Sequence, residues 1–281
     1  MRYTVRLVGA FFALSVFWLA ATSRAGEDGQ DQPRKQARAE RLAKMRAQAE
    51  LFQFSLVAKD QKARLKSEPV FRYDDQPRGF VDATLWVWEV DDLPVAIAKV
   101  EDIRVGRAIR WQFCMASLWA DRIRMTGPGA HRWTAKQPGL KFSSIPNGPL
   151  PSESKSVRLR QMKTLARRFS AVLTESAQGD RQEMRLLPTP ILRYASKTTG
   201  LVDAALFSLA ANGTNPDSLF LIALQQSAGT DQPVWQYAIV PMTAAAVSVR
   251  LDEREVWKKG FRVGANTFFA NWFYYAIAQG Q

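Results

Sequence analysis

Three polar residues stand out by recurring. Arg72, Tyr73 and Asp82 belong to "PVFRYDDQPRGFVDATLWVW" (69–88), and 121 residues later "PILRYASKTTGLVDAALFSL" (190–209) repeats them as Arg193, Tyr194 and Asp203. Eight of the twenty columns are identical without a gap. An arginine ten residues before an aspartate, across a glycine turn, suits two kinds of chemistry. The pair either closes into a desolvated guanidinium–carboxylate bridge that fixes strand register and is costly to break, or it lines a ligand pocket together with the tyrosine. The structural option is the one expected. Paired carboxylates for sugar hydrolysis would fall on Asp82 and Asp203. As one position in two copies, however, they would share one environment, where catalytic pairs need different ones.

Other chemistry is sparse. His131, the single histidine, and Cys114, the single cysteine, are too few for a zinc cage of four N/S ligands. Cys114 falls within a strand-like run, and Ala238 takes its place in the second copy, which favours a packing role over a Cys/His dyad. No glycine-rich phosphate loop follows a strand. These residues predict no catalytic group, no metal and no cofactor. One cationic cluster remains, Arg158, Arg160, Lys163, Arg167 and Arg168, with no acid between Lys155 and Arg168; residues 34–46 carry six more cations against Glu40.

The elements that must position these residues are also repeated. "RLAKMRAQAELF" (41–52) matches "RLRQMKTLARRF" (158–169); Leu42, Met45, Ala49 and Phe52 form one apolar stripe at helical spacing. Downstream, Trp111 and Trp133 correspond to Trp235 and Trp257. Each helix leads into strand-like runs: "ATLWVWEV", "VAIAKV", "RWQFCMAS" and "RIRM", then "AALFSLA", "LFLIAL", "WQYAIV" and "VSVRL". The expected fold is therefore α+β, a tandem duplication of a helix plus an antiparallel β-meander. Its boundaries are a signal peptide (1–25), a disordered N-terminus (26–33), a first repeat (34–133), a Pro/Gly-rich linker (134–152), a second repeat (153–257) and an aromatic-rich C-terminal segment (258–281). That last segment packs six aromatics into residues 268–275 and is expected to dock on the core.

Arg2 and Arg6 precede fifteen uncharged residues, Leu7 to Ala21, and small residues flank a plausible cut after Ala25, which predicts export. Cleavage there would lower the formal net charge from +13 to +10. At "RLLPTPILRY", "GLVDAALFSLAANGTNPDSLFLIAL", "WQYAIVPM" and "REVW" the chain resembles a family of uncharacterised exported proteins of planctomycete bacteria. That resemblance implies secretion and a duplicated β-rich domain, and no reaction. The expected function is a non-catalytic binding or scaffolding component of the cell envelope. Its expected partner is an anionic envelope polymer or membrane surface, met through the basic helices, and not nucleic acid. The alternative is a carboxylate-based hydrolase acting on such a polymer.

Overall fold

The hairpin predicted at "DDLP" forms around Asp91 and Asp92, whose φ angles of 51° and 60° are the left-handed pair that a tight two-residue turn requires. It joins two of the longest strands in a computed structural model of the chain, which describes residues 25–106, 108–129, 131–175, 179–226, 232–261, 267–268 and 271–278. The predicted signal peptide lies outside the described residues, except for Ala25.

The chain divides into two units, Met1–Arg41 and Leu42–Gln281. The described part of the first is the beginning of helix α1 (Ala25–Glu50), which takes in residues 26–33 and has Pro33 within it. The second holds the rest of α1 and then, in order, β1 (Gln53–Leu56), β2 (Arg64–Leu65), β3 (Phe71–Asp75), β4 (Phe80–Val90), β5 (Leu93–Val105), β6 (Ala108–Ser117), β7 (Ile123–Thr126), β8 (Arg132–Thr134), β9 (Ser143–Ser144), α2 (Lys155–Ala166), β10 (Phe169–Thr174), β11 (Arg181–Ser196), β12 (Leu201–Ala210), β13 (Ser218–Gln225), β14 (Val234–Pro241), β15 (Ala246–Leu251), β16 (Arg254–Lys259), β17 (Thr267–Phe268) and β18 (Trp272–Ala278). A single 3-10 turn, Gln76–Arg78, separates β3 from β4.

These elements correct the expected fold class. The protein is mostly β, with 52% strand and 16% helix, and its antiparallel sheets include a half-barrel; it is not a duplicated helix-plus-meander in an α+β fold. Two physical reasons account for the difference. First, the fourth strand does not extend the meander: β7 leaves β6 to pair with β1, and β15 leaves β14 to pair with β10. Second, the sheets differ from one another in size and order. Among the described residues one has eight strands (β16-β15-β10-β11-β12-β13-β14-β9), one seven (β17-β18-β6-β5-β4-β2, with β3 on β4), and one three (β1-β7-β8). The sixteen-residue β11 makes the eight-stranded sheet continuous by pairing with β10 from Arg181 to Met184 and with β12 from Arg185 to Ser196.

The central strands are buried on both faces, so their alternation separates two apolar layers rather than core from solvent. From the seven-stranded sheet, Trp86, Trp88, Ala98, Phe113 and Met115 pack with Met45 and Ala49 of α1 and with the three-stranded sheet. The alternate residues Leu85, Val87, Ile97, Cys114 and Ala116 meet Ala204, Leu206, Leu219, Leu221, Ala223 and Ala238 of the eight-stranded sheet. The other face of that sheet, with Phe207, Phe220 and Ile222, is covered by Met162, Leu165 and Ala166 of α2. The shared middle layer makes Leu42–Gln281 one body. The C-terminal segment docks as a strand: Trp272 lies opposite Ala116 and is buried, and β18 runs along β6 to Arg110. Part of the predicted linker is also ordered, because Ser143 and Ser144 pair with Tyr237 and Gln236. Among the described residues no helix is long and apolar enough to cross a membrane.

Candidate functional site

The repeated arginines and aspartates form two ion pairs that strap neighbouring strands. Arg72 on β3 grips Asp82 on β4 with two hydrogen bonds, from Nε to Oδ1 at 2.8 Å and from Nη2 to Oδ2. Arg193 on β11 does the same to Asp203 on β12, from Nε to Oδ1 at 2.9 Å and from Nη2 to Oδ2 at 2.7 Å. Asp203 has a second arginine: Arg158 of α2 donates from Nε to Oδ2 at 2.8 Å. Burial pushes the Asp203 carboxyl up, but the hydrogen bonds from Arg193 and Arg158 outweigh it and hold the group below its ordinary value. Each aspartate is thus held by arginine guanidinium across a strand pair.

The basic cluster on α2 and just after it is also divided. Arg158 is 6% exposed and spent on Asp203, and Arg168 is paired with Asp252. Arg160 and Arg167 are exposed and Lys163 half-buried, which leaves a shorter cationic strip than the sequence suggested.

A different set of residues surrounds a cleft of about 270 Å³ at one end of the middle layer. Its lining includes Arg78, Phe80, Lys99, Glu101, Gln112, Cys114, Glu175, Asn215, Asp217 and Phe261. Gly79, at φ 78°, closes the turn that aims Arg78 inward; a Cβ there would stand 2.8 Å from the Arg104 carbonyl oxygen. Arg78 donates from Nη1 to Asp217 Oδ1 at 2.7 Å and to Asp75 Oδ2 at 3.2 Å, and from Nε to Glu175 Oε1 at 2.8 Å. Asn215 continues the network, donating from Nδ2 to Asp75 Oδ2 at 2.9 Å and accepting from Lys99 Nζ at 2.6 Å. Glu101 accepts from the Tyr73 hydroxyl at 2.7 Å and from Gln112 Nε2 at 2.9 Å. Burial first, and the Glu101 charge after it, raise the Tyr73 phenol well above its ordinary value, so it remains a donor.

Asp75, Lys99, Glu101, Asn215 and Asp217 are each at most 2% exposed. Burying four ionisable groups and an amide together is costly unless every one is partnered. Two atoms are not: Asp75 Oδ1, an acceptor, and Arg78 Nη2, a donor, are buried without a hydrogen-bond partner. Cys114 offers no nucleophile, because burial lifts its thiol to about 12 and keeps it protonated. Among the described residues no group of three His, Cys, Asp or Glu is arranged to hold a metal ion.

Of the sequence-selected residues, only Tyr73 enters this network, with Gln112 beside it. Asp75, Arg78, Lys99, Glu101, Glu175, Asn215 and Asp217 were missed because the search favoured repeated polar residues, and these are not repeated. Lys99 lies opposite Leu85 and Cys114, whereas Leu221 lies opposite Leu206 and Ala238; Glu101 lies opposite Ala83 and Gln112, whereas Ala223 lies opposite Ala204 and Gln236. Charges standing where the second stretch has Leu and Ala were the available signal. No family model, curated protein or solved structure matches the chain.

Proposed function

We propose that this is an exported, non-catalytic binding protein of the cell envelope, related to the planctomycete family it resembles, and that its cleft holds one small polyol unit, a monosaccharide or amino sugar. The mixed polar lining of the cleft carries this reading. Arg78, Lys99, Gln112 and Asn215 offer donors and Glu101, Glu175 and Asp217 acceptors, and a sugar hydroxyl, which both donates and accepts, can meet either kind. The volume corresponds to roughly nine waters of liquid, which suits a single sugar and not a polymer chain. Phe80 and Phe261 give apolar surface for the C–H face of a ring, and planar Arg, Asn, Gln and carboxylate groups supply orientation, the usual division of labour in a small-molecule pocket. An anionic envelope polymer remains the proposed partner for Arg160, Lys163 and Arg167, acting as a secondary, salt-sensitive contact.

Thermal denaturation in the presence of glucose, glucosamine and N-acetylglucosamine tests the reading. At least one should raise the wild-type midpoint in a saturable way. Glu175→Gln, a change at the half-exposed mouth, should shrink that rise while leaving the unliganded midpoint nearly unchanged. No shift with any polyol would overturn the proposal.

A further inference from the structure

A second pocket lies between the same two sheets and has the opposite character. Its volume is about 120 Å³, and it is lined by Leu93, Pro94, Leu118, Trp119, Leu140, Phe142, Tyr194 and Leu201, with Thr199 and Gln225 among them. The positions match in part: Thr199 and Leu201 stand 121 residues after Arg78 and Phe80, which line the polar cleft. Where one cleft has Lys99 and Glu101, the inner face here is apolar. Leu118, Leu140 and Leu201 belong to the buried middle layer, with Phe142 and Tyr194 packed against it.

Three polar side chains, Tyr194, Thr199 and Gln225, interrupt this apolar wall. Gln225 ends β13, a strand otherwise of apolar residues after Ser218, and lies opposite Leu201 and Val234. Its Oε1 is buried without a hydrogen-bond partner. The Tyr194 hydroxyl makes no hydrogen bond among the described residues, and burial alone raises its pKa. An unmet buried amide oxygen is destabilising unless something donates to it, and an apolar space of this size is poorly suited to water, which needs two to four polar partners.

We infer that this pocket is a binding site for a small, mainly apolar molecule carrying one hydroxyl, of the phenol or short-alcohol class. The hydroxyl donates to Gln225 Oε1 and accepts from the Tyr194 hydroxyl, and the hydrocarbon part fills the space between Leu93, Leu118, Leu140 and Leu201. A cavity of roughly 150 Å³ accommodates benzene, so a single ring or a chain of a few carbons sets the size limit. The inference is independent of the sugar reading, since it concerns other residues and another ligand chemistry.

Phenol and benzene are the probes, measured by ligand-detected NMR titration against the full-length mature protein. Phenol should bind saturably and about fivefold more tightly than benzene, the effect of one net hydrogen bond. Gln225→Leu should keep the fold and bring the two affinities within twofold of each other. Leu93→Trp, which fills the pocket from the hairpin edge, should abolish binding of both. If that variant does not fold, Gln225→Leu decides alone. Absence of saturable phenol binding, or an unchanged phenol preference in Gln225→Leu, overturns the inference.

Discussion

Asp203, shared by two arginines, concentrates risk in one side chain. Asp203 is 5% exposed at its side chain, and removing it leaves Arg158 and Arg193 facing each other without a counter-charge. Asp203→Ala should therefore cost about 3–5 kcal/mol in urea denaturation, the usual penalty for breaking a buried pair from one side. The pH dependence has a definite sign. A carboxyl held below its ordinary value in the folded state stabilises the fold above its unfolded pKa of about 3.9, and that contribution is lost as pH falls further toward the folded value. Wild-type protein should thus lose stability on acidification through that window. Asp203→Asn, weaker at pH 7, should lose less there. The Cys114 thiol gives a second residue-scale test. Because burial holds it at about 12, a thiol reagent at pH 8 should leave it unmodified in the folded protein and modify it on unfolding.

At the scale of elements, β18 is the strand whose removal is most informative. It covers β6, which otherwise would be an edge of the seven-stranded sheet, and it brings the buried Trp272 to the middle layer. Truncation after Asn271 should lower the melting temperature and yield higher-order species on size-exclusion chromatography, since an uncovered long strand offers its hydrogen-bonding groups to another copy. A monomer of unchanged stability would contradict that role. The strands themselves were legible in the sequence: the runs at "ATLWVWEV", "RWQFCMAS", "LFLIAL" and "VSVRL" all lie within observed strands. Their partners were not. A run such as "RIRM" alternates in the same way whether it extends a meander or crosses to β1, because alternation reports burial of one face and not the identity of the neighbour. That limitation produced the expected α+β meander in place of a mostly β fold with a half-barrel.

For the molecule as a whole, the middle layer between the seven- and eight-stranded sheets explains both what was readable and what was not. Arg72, Asp82, Arg193 and Asp203 attracted notice because repetition marks architecture, and the ion pairs they form hold strands together. The polar cleft depends on departures from repetition, Lys99 and Glu101 where the second stretch has Leu221 and Ala223, together with Asn215 and Asp217 from the loop between β12 and β13. Those residues are distant in the chain; Asn215 and Asp75 are joined by a 2.9 Å hydrogen bond across 140 positions, a proximity only the packed sheets create. The same packing places an apolar pocket whose Thr199 and Leu201 correspond to Arg78 and Phe80 of the cleft, so a single body holds one polar and one apolar pocket.

The central claim is that the cleft around Arg78 binds a polyol through its mixed donors and acceptors. Isothermal titration of N-acetylglucosamine and glucosamine into wild-type protein and Arg78→Lys tests it most directly. Lysine keeps the charge beside Asp75 and Asp217 but loses the planar fork and the unpartnered Nη2 donor. Wild-type protein should bind at least one of the two sugars, and folded Arg78→Lys should bind it at least about tenfold more weakly, roughly 1.4 kcal/mol. Equal affinity for the two proteins, or no heat of binding with either sugar, would contradict the account.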